Sequence, residues 1–179
     1  MATNSFSFTK VLFLLSFISP ILISNAYTSK PYELVNKVCH EQANVEFCLD
    51  ILKSDKRSKF AKDITTLTKI AVHIATKYST RTRDHFQGLK TGPAGLLKSL
   101  KECIPAYDSV IAGFKICLNE GDCELVGYDI HVAGDEVERC QTIADDNGAH
   151  DSFITPANNV TLGFCKLSES LANLMCDKI

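Results

Sequence analysis

Four stretches of this chain repeat apolar residues in alternating steps of three and four, a spacing that leaves a helical bundle as the simplest fold. Ile64, Leu67, Ala71, Ile74 and Tyr78 form the first seam, and Leu97, Leu100, Ile104, Tyr107, Ile111, Phe114 and Leu118 the second. Val126, Ile130, Ala133, Val137, Cys140 and Ala144 form the third, and Val160, Phe164, Leu167, Leu171 and Leu174 the fourth. Such steps put each set on one narrow stripe of an α-helix, whereas a half-buried strand alternates. No stripe can be buried alone, so the four must face one shared core, and short connections force antiparallel neighbours. The connectors have turn chemistry: Thr91-Gly92-Pro93, Asn119-Glu120-Gly121-Asp122, and a longer stretch from Asp145 to Ser152. Asp122 is placed to cap the third helix, and Thr155-Pro156 reads as the cap and first turn of the fourth. Pro105 interrupts the second seam and is expected to bend that helix. The fold class is therefore all-α, with a four-helix bundle over residues 61–179.

Two further segments precede the bundle. Pro31–Gln42 and Glu46–Ser54 read as short helices around Ala43-Asn44-Val45, making an N-terminal helical hairpin extension over residues 27–60. Pro31 suits a first helical turn, where its missing N–H costs nothing. Helices this short are marginal alone, and Cys39 and Cys48 flank the turn as a staple. Residues 1–26 read as a secretory signal peptide. Lys10 is their only charge, the apolar run Val11 to Ser24 follows, and Ser24-Asn25-Ala26 offers the small residues a signal peptidase reads. That run is shorter than the roughly 20 residues of a membrane span. Cleavage after Ala26 leaves residues 27–179 as one domain and moves the formal charge from −2 to −3 by removing Lys10. A nucleic-acid binder would show a basic surplus.

All eight cysteines lie beyond the leader, bound for an oxidising compartment where an even count reads as disulfides. Residues equidistant from the turn of an antiparallel hairpin lie at one height. The turn between the second and third bundle helices centres near 121; the midpoint of Cys103 and Cys140 falls at 121.5, and that of Cys117 and Cys123 at 120. Both pairs are thus candidates, with two free thiols as the alternative for Cys117 and Cys123, because a turn does not guarantee the 4.4–6.8 Å Cα spacing a disulfide needs. On the chain-entropy model, closing the Cys103–Cys140 loop stabilises by roughly 4 kcal/mol and the Cys39–Cys48 loop by roughly 3 kcal/mol. Cys165 and Cys176 sit on one helix, about 16 Å apart at helical rise, too far to bond each other. Cys165 is expected to be a buried thiol, and Cys176 to be free or paired with another chain.

The five histidines are scattered at 40, 73, 85, 131 and 150, with no H-E-x-x-H, and the chain has no G-x-S-x-G and no glycine-rich phosphate loop. Asp135-Glu136 and Asp145-Asp146 are adjacent carboxylates that point about 100° apart on a helix, as a solvated face does. There is no C-x-x-C and no zinc-finger spacing. Catalytic, metal and cofactor sites are therefore not expected. Asn159-Val160-Thr161 is an N-glycosylation sequon.

With these features in order, the sequence resembles the plant invertase and pectin methylesterase inhibitor family. The resemblance rests on the leader, on CHEQANVEFC from Cys39 to Cys48 followed by Leu49 and Leu52, and on Leu100-Lys-Glu-Cys103 with Tyr107 and Ile111. Cys140 in an acidic context and a last apolar helix carrying Cys165 complete it. It implies an up-down-up-down bundle, the disulfides Cys39–Cys48 and Cys103–Cys140, and no cofactor. It also implies one-to-one steric inhibition of a pectin methylesterase or an acid invertase in the apoplast or vacuole, with no nucleic acid or membrane partner. A stapled bundle suits that role, since a preorganised surface loses little entropy on docking.

Three departures bear on the target. Invertase inhibitors of the family often carry Pro-Lys-Phe after a Gly-Asp in the loop that enters the enzyme, whereas here Gly121-Asp122 runs into Cys123-Glu124-Leu125. Pro105 replaces a helix-friendly residue, and Cys117, Cys123 and Cys176 are extra. Asp135, five residues before Cys140, resembles a target-facing acid of the pectin methylesterase inhibitors, so Asp122 and Asp135 are the candidate target-interface residues. Pectin methylesterase is the expected target, with acid invertase as the alternative. A lipid-binding module is the distant alternative, but lipid-transfer proteins need a Cys-Cys and a Cys-x-Cys, both missing here.

Overall fold

The computed structural model describes residues 30–149 and 153–177; the expected leader lies outside them. The described residues form six α-helices and no strand. Helices α1 (Glu33–His40) and α2 (Val45–Ser54) make the hairpin, and a short 3-10 turn (Lys56–Phe60) leads to α3 (Ile64–Gly88). Helices α4 (Ala94–Asn119), α5 (Cys123–Asp146) and α6 (Ile154–Cys176) complete a bundle in which α3 and α5 each pack against both α4 and α6.

Each junction shows the antiparallel sense. Phe86 of α3 meets Tyr107 of α4 edge to face at 5.1 Å between ring centres. The Ser99 hydroxyl donates to the Ile143 carbonyl at 3.4 Å across α4–α5, and Gln141 Nε2 donates to Thr155 Oγ1 at 2.9 Å across α5–α6. The third seam is wholly buried, and Leu67, Phe114 and Leu171 of the other three seams have no exposure. Helix α3 buries a second stripe as well: Thr68, Val72, Ala75, Ser79, Thr82 and Phe86. Its threonines fit an apolar interior by donating to their own helix, Thr68 to the Ile64 carbonyl at 2.9 Å and Thr76 to that of Val72 at 2.7 Å.

The hairpin covers one side of the bundle. Val35, Val38 and Leu52 pack with Ile64, Leu67 and Ala71 of α3 and with Leu167 and Leu171 of α6. Asn44 caps α2 by accepting from the Phe47 amide at 3.0 Å. Pro31 does not form the first turn of α1; it precedes it, because Tyr32 takes a left-handed conformation (φ 60°) that begins the helix at Glu33. The fourth bundle helix likewise starts earlier than Thr155-Pro156 suggests. Phe153 stands at its N-cap, which places Thr155 and Pro156 inside the first turn, where a missing N–H leaves no bond unmade. Helix α4 runs through Pro105 as one element.

Cys39 bonds Cys48 and Cys103 bonds Cys140, with Cα atoms 5.5 and 4.9 Å apart. The candidate Cys117–Cys123 pairing is corrected. Cys123 bonds Cys176 across α5–α6 at 5.6 Å between Cα atoms, so Cys176 is neither free nor paired with another chain. Cys117 instead points into the core, its Sγ directed at the Val126 carbonyl at 3.6 Å. Cys117 and Cys165 are the free cysteines, both buried, and burial pushes each thiol up to about 12. Alkylation needs the thiolate. Iodoacetamide at neutral pH is therefore expected to leave both untouched in folded protein and to label both, and no other cysteine, after non-reducing denaturation. A non-reducing peptide map that links Cys117 to Cys123 would contradict the pairing.

Candidate functional site

An exposed apolar stripe lies on the outer side of α4 and α5. On α5, Leu125, Tyr128 and Val132 repeat the three-four step on the face turned away from the buried seam, and they are 51 %, 66 % and 41 % exposed. Ile116 on α4 is 53 % exposed. Close approach of the two helices joins these residues into one surface. Gly113 permits that approach, since a Cβ there would lie 3.2 Å from the Asp129 carbonyl oxygen. Ile116 follows Gly113 by three residues and so stands on the side of α4 nearest α5. Exposed Pro105, Ser109 and Ala112 continue the same side toward the other end of α4. Large apolar side chains grouped this way on a surface mark a place where another molecule docks.

The α5 side of this surface is acidic, whereas α4 carries Lys98, Lys101 and Lys115 against Glu102 and Asp108. Helix α5 carries Glu124, Asp129, Asp135, Glu136, Glu138, Asp145 and Asp146 against a single Arg139. Helix α3, diagonally across the bundle, carries Lys69, Lys77, Arg81 and Arg83 against Asp84. Acid is thus concentrated on α5, the helix that carries Leu125, Tyr128 and Val132, and base on α3.

The two candidate interface acids differ in what they do. Asp135 is exposed, three residues beyond Val132 on the same stripe, and it also borders a shallow groove with His131, Glu138 and Lys166. Asp122 is occupied locally: its Oδ1 accepts from the amides of Glu124 and Leu125 at 2.9 and 3.3 Å, capping α5. The Glu120 carboxylate accepts from the amides of Gly121 and Asp122 at 2.8 and 3.1 Å, closing the turn on itself. The neighbouring Cys123 is tied to α6 by its disulfide. The α4–α5 connection is thus short and held down at both sides.

Sequence reading did not single out Ile116, Leu125, Tyr128 or Val132. Their signal was present in α5 as a second three-four series beside the buried one. Among the described residues no group of three or more His, Cys, Asp or Glu is arranged to hold a metal, and no helix is long and apolar enough to cross a membrane.

The family model for plant invertase/pectin methylesterase inhibitors matches residues 33–152. The chain belongs to this family. Its members are inhibitors, not enzymes, and the protein is accordingly a non-catalytic inhibitor-family domain. No curated protein sequence gives a significant match. Among solved structures, a pectin methylesterase inhibitor from Arabidopsis thaliana is similar with a TM-score of 0.58 at 18% identity, covering 79% of this chain and 95% of that one. A mutant form of an Arabidopsis pectin methylesterase inhibitor gives a TM-score of 0.64 at 19% identity, covering 78% of this chain and 95% of that one. At such identities the likeness establishes the helical fold. The inhibitor family therefore accounts for the bundle, and the lipid-binding alternative has no support from it.

Proposed function

We propose that this inhibitor acts outside the cell on a pectin methylesterase, binding one to one and laying the outer α4–α5 face over the substrate cleft. The observation that carries the reading is the exposed stripe of Leu125, Tyr128 and Val132 set in an acidic helix. An interface of this kind combines an apolar centre with a charged rim, which suits a basic partner. The similar solved structures are of pectin methylesterase inhibitors. A pectin cleft is long and shallow, so helix faces can cover it without any loop entering. An invertase cleft is deep and asks for a protruding loop; the capped turn at Gly121-Asp122, tethered through Cys123, offers neither a Lys nor a Phe. The cell wall is the proposed location, and the vacuole finds no support among the relatives.

Titrating the secreted protein against a pectin methylesterase and an acid invertase, at mildly acidic pH and two salt concentrations, tests the proposal. Inhibition of the esterase that associates more slowly in high salt is expected. Inhibition of the invertase alone would overturn the choice of target. Within that assay, Asp135→Arg is expected to weaken the esterase complex roughly tenfold, about 1.4 kcal/mol. Asp145→Arg, whose carboxylate lies toward α6 and accepts from Gln141 at 2.9 Å, is expected to change it less than about twofold. Equal effects would remove Asp135 from the face.

A further inference from the structure

A groove of about 620 Å³ runs along α6 between that helix and the turn of the N-terminal hairpin. Its volume is within the range of about 300–1,000 Å³ usual for ligand clefts. The groove has an apolar floor and polar flanks: Phe47 and Val160 line it with Gln42, Asn44 and Lys166. Phe47 is held in place by edge-to-face contact with Phe164 at 5.5 Å. It lies so close to the backbone of α6 that a Cβ on Gly163 would come within 2.9 Å of its ring. Such a surface fits an amphipathic disc, one apolar face with hydroxyls and amides at the edge, better than it fits a wholly apolar chain.

Asn159 is exposed and lines this same groove. It is also the acceptor of the Asn159-Val160-Thr161 sequon in a chain whose first residues read as a secretory leader. We infer that Asn159 is N-glycosylated and that the inner N-acetylglucosamine residues of the glycan seat in the groove against Phe47. The acceptor is therefore also the anchor that delivers the occupant at high effective concentration.

Burial of Thr161 in the folded protein is compatible with this order of events. Its hydroxyl donates to the Ala157 carbonyl at 2.9 Å and lies 3.1 Å from the Tyr107 hydroxyl, bonds that exist only once α6 has formed. Transfer takes place on the extended chain. The donor is an oligosaccharide carried on a lipid pyrophosphate. The Asn159 amide nitrogen forms a bond to C1 of the first sugar, the C1–O bond to phosphate breaks, the lipid pyrophosphate departs with that electron pair, and the nitrogen loses one proton. Folding then closes Thr161 into the core and leaves Asn159 and its sugar at the surface. The groove lies on the hairpin side of α6, and Lys166 lines both it and the shallow groove that Asp135 borders.

The test uses full-length protein secreted from a eukaryotic host. Peptide mass mapping is expected to find a glycan on Asn159, absent in Asn159→Gln; an unmodified Asn159 peptide would overturn the site. In the glycosylated protein, an NOE is expected between the acetyl methyl of an inner sugar and the Phe47 ring, lost in Phe47→Ala. Enzymatic removal of the glycan from already folded protein avoids any folding defect of the variants, and is expected to lower Tm by about 2–4 °C. In Phe47→Ala the same treatment should leave Tm unchanged. A glycan with no such NOE and no Phe47-dependent stabilisation would overturn its seat in the groove. So would Phe47-dependent binding of a fluorescent fatty acid to the fully glycosylated protein.

Discussion

Replacing both Cys103 and Cys140 with alanine is expected to destabilise the protein by about 2–5 kcal/mol, a large share of the ~5–15 kcal/mol that holds a domain of this size together. In melting temperature this is a fall of roughly 10 °C. The bridge closes a sequence separation of 37 and has no exposure, packed among Phe86, Tyr107 and Ile154 where α4 meets α5. Loop length alone would rank Cys123–Cys176 above it, with a separation of 53. A second effect opposes that ranking. Cys176 is the last residue of α6, and a helix end opens locally at far lower cost than the core. Cys123→Ala with Cys176→Ala is therefore expected to cost less than the Cys103 pair. Denaturant unfolding of both variants without reductant decides it. A larger loss from the Cys123 pair would show that loop length outweighs position.

Tyr128→Ala is expected to weaken inhibition by about 30-fold or more, at or above 2 kcal/mol, with no fall in stability. Among the described residues Tyr128 is the most exposed of the large apolar side chains, at 66 %, and it stands between Leu125 and Val132 on the stripe. Aromatic residues at the centre of a patch supply most of the energy of a protein interface, because they become fully desolvated with few torsions to freeze. Phe60 supplies the control. It is 59 % exposed but belongs to the 3-10 turn beside the hairpin, away from α4 and α5, and Phe60→Ala is expected to leave inhibition unchanged. Inhibition constants measured for both variants beside their melting curves check this. A loss from Phe60→Ala that matches the loss from Tyr128→Ala would move the interface to the hairpin.

Much of the architecture was legible because hydrophobic period is a direct record of burial. Val126, Ile130, Ala133, Val137, Cys140 and Ala144 are spaced as a seam and are all buried as one. The second buried stripe of α3 was not legible, because Thr68, Ser79 and Thr82 are polar in a sequence scan. Self-satisfied hydroxyls such as those of Thr68 and Thr76 let a small residue enter a tight helix contact without looking hydrophobic. Equal height across the α4–α5 turn holds for the bonded pair Cys103–Cys140 but did not decide the partner of Cys123. Cys123 and Cys176 have their midpoint at 149.5, between the end of α5 at Asp146 and the start of α6 at Ile154. Cys123 had two geometric partners, and the side of the helix decided between them: Cys117 is turned inward to the Val126 carbonyl while Cys123 lies half-exposed against α6. The acid of α5 was legible as composition. The exposed stripe was not, because only the packing of α4 against α5 shows which of two apolar series on α5 is left outside.

Steric cover of the cleft by a rigid helical face makes one kinetic demand, and initial-rate measurement of pectin de-esterification at several inhibitor concentrations meets it most directly. Substrate and inhibitor would exclude each other, so the apparent KM should rise linearly with inhibitor while kcat stays constant. A falling kcat at constant KM, or an unchanged rate at every inhibitor concentration, would contradict the account.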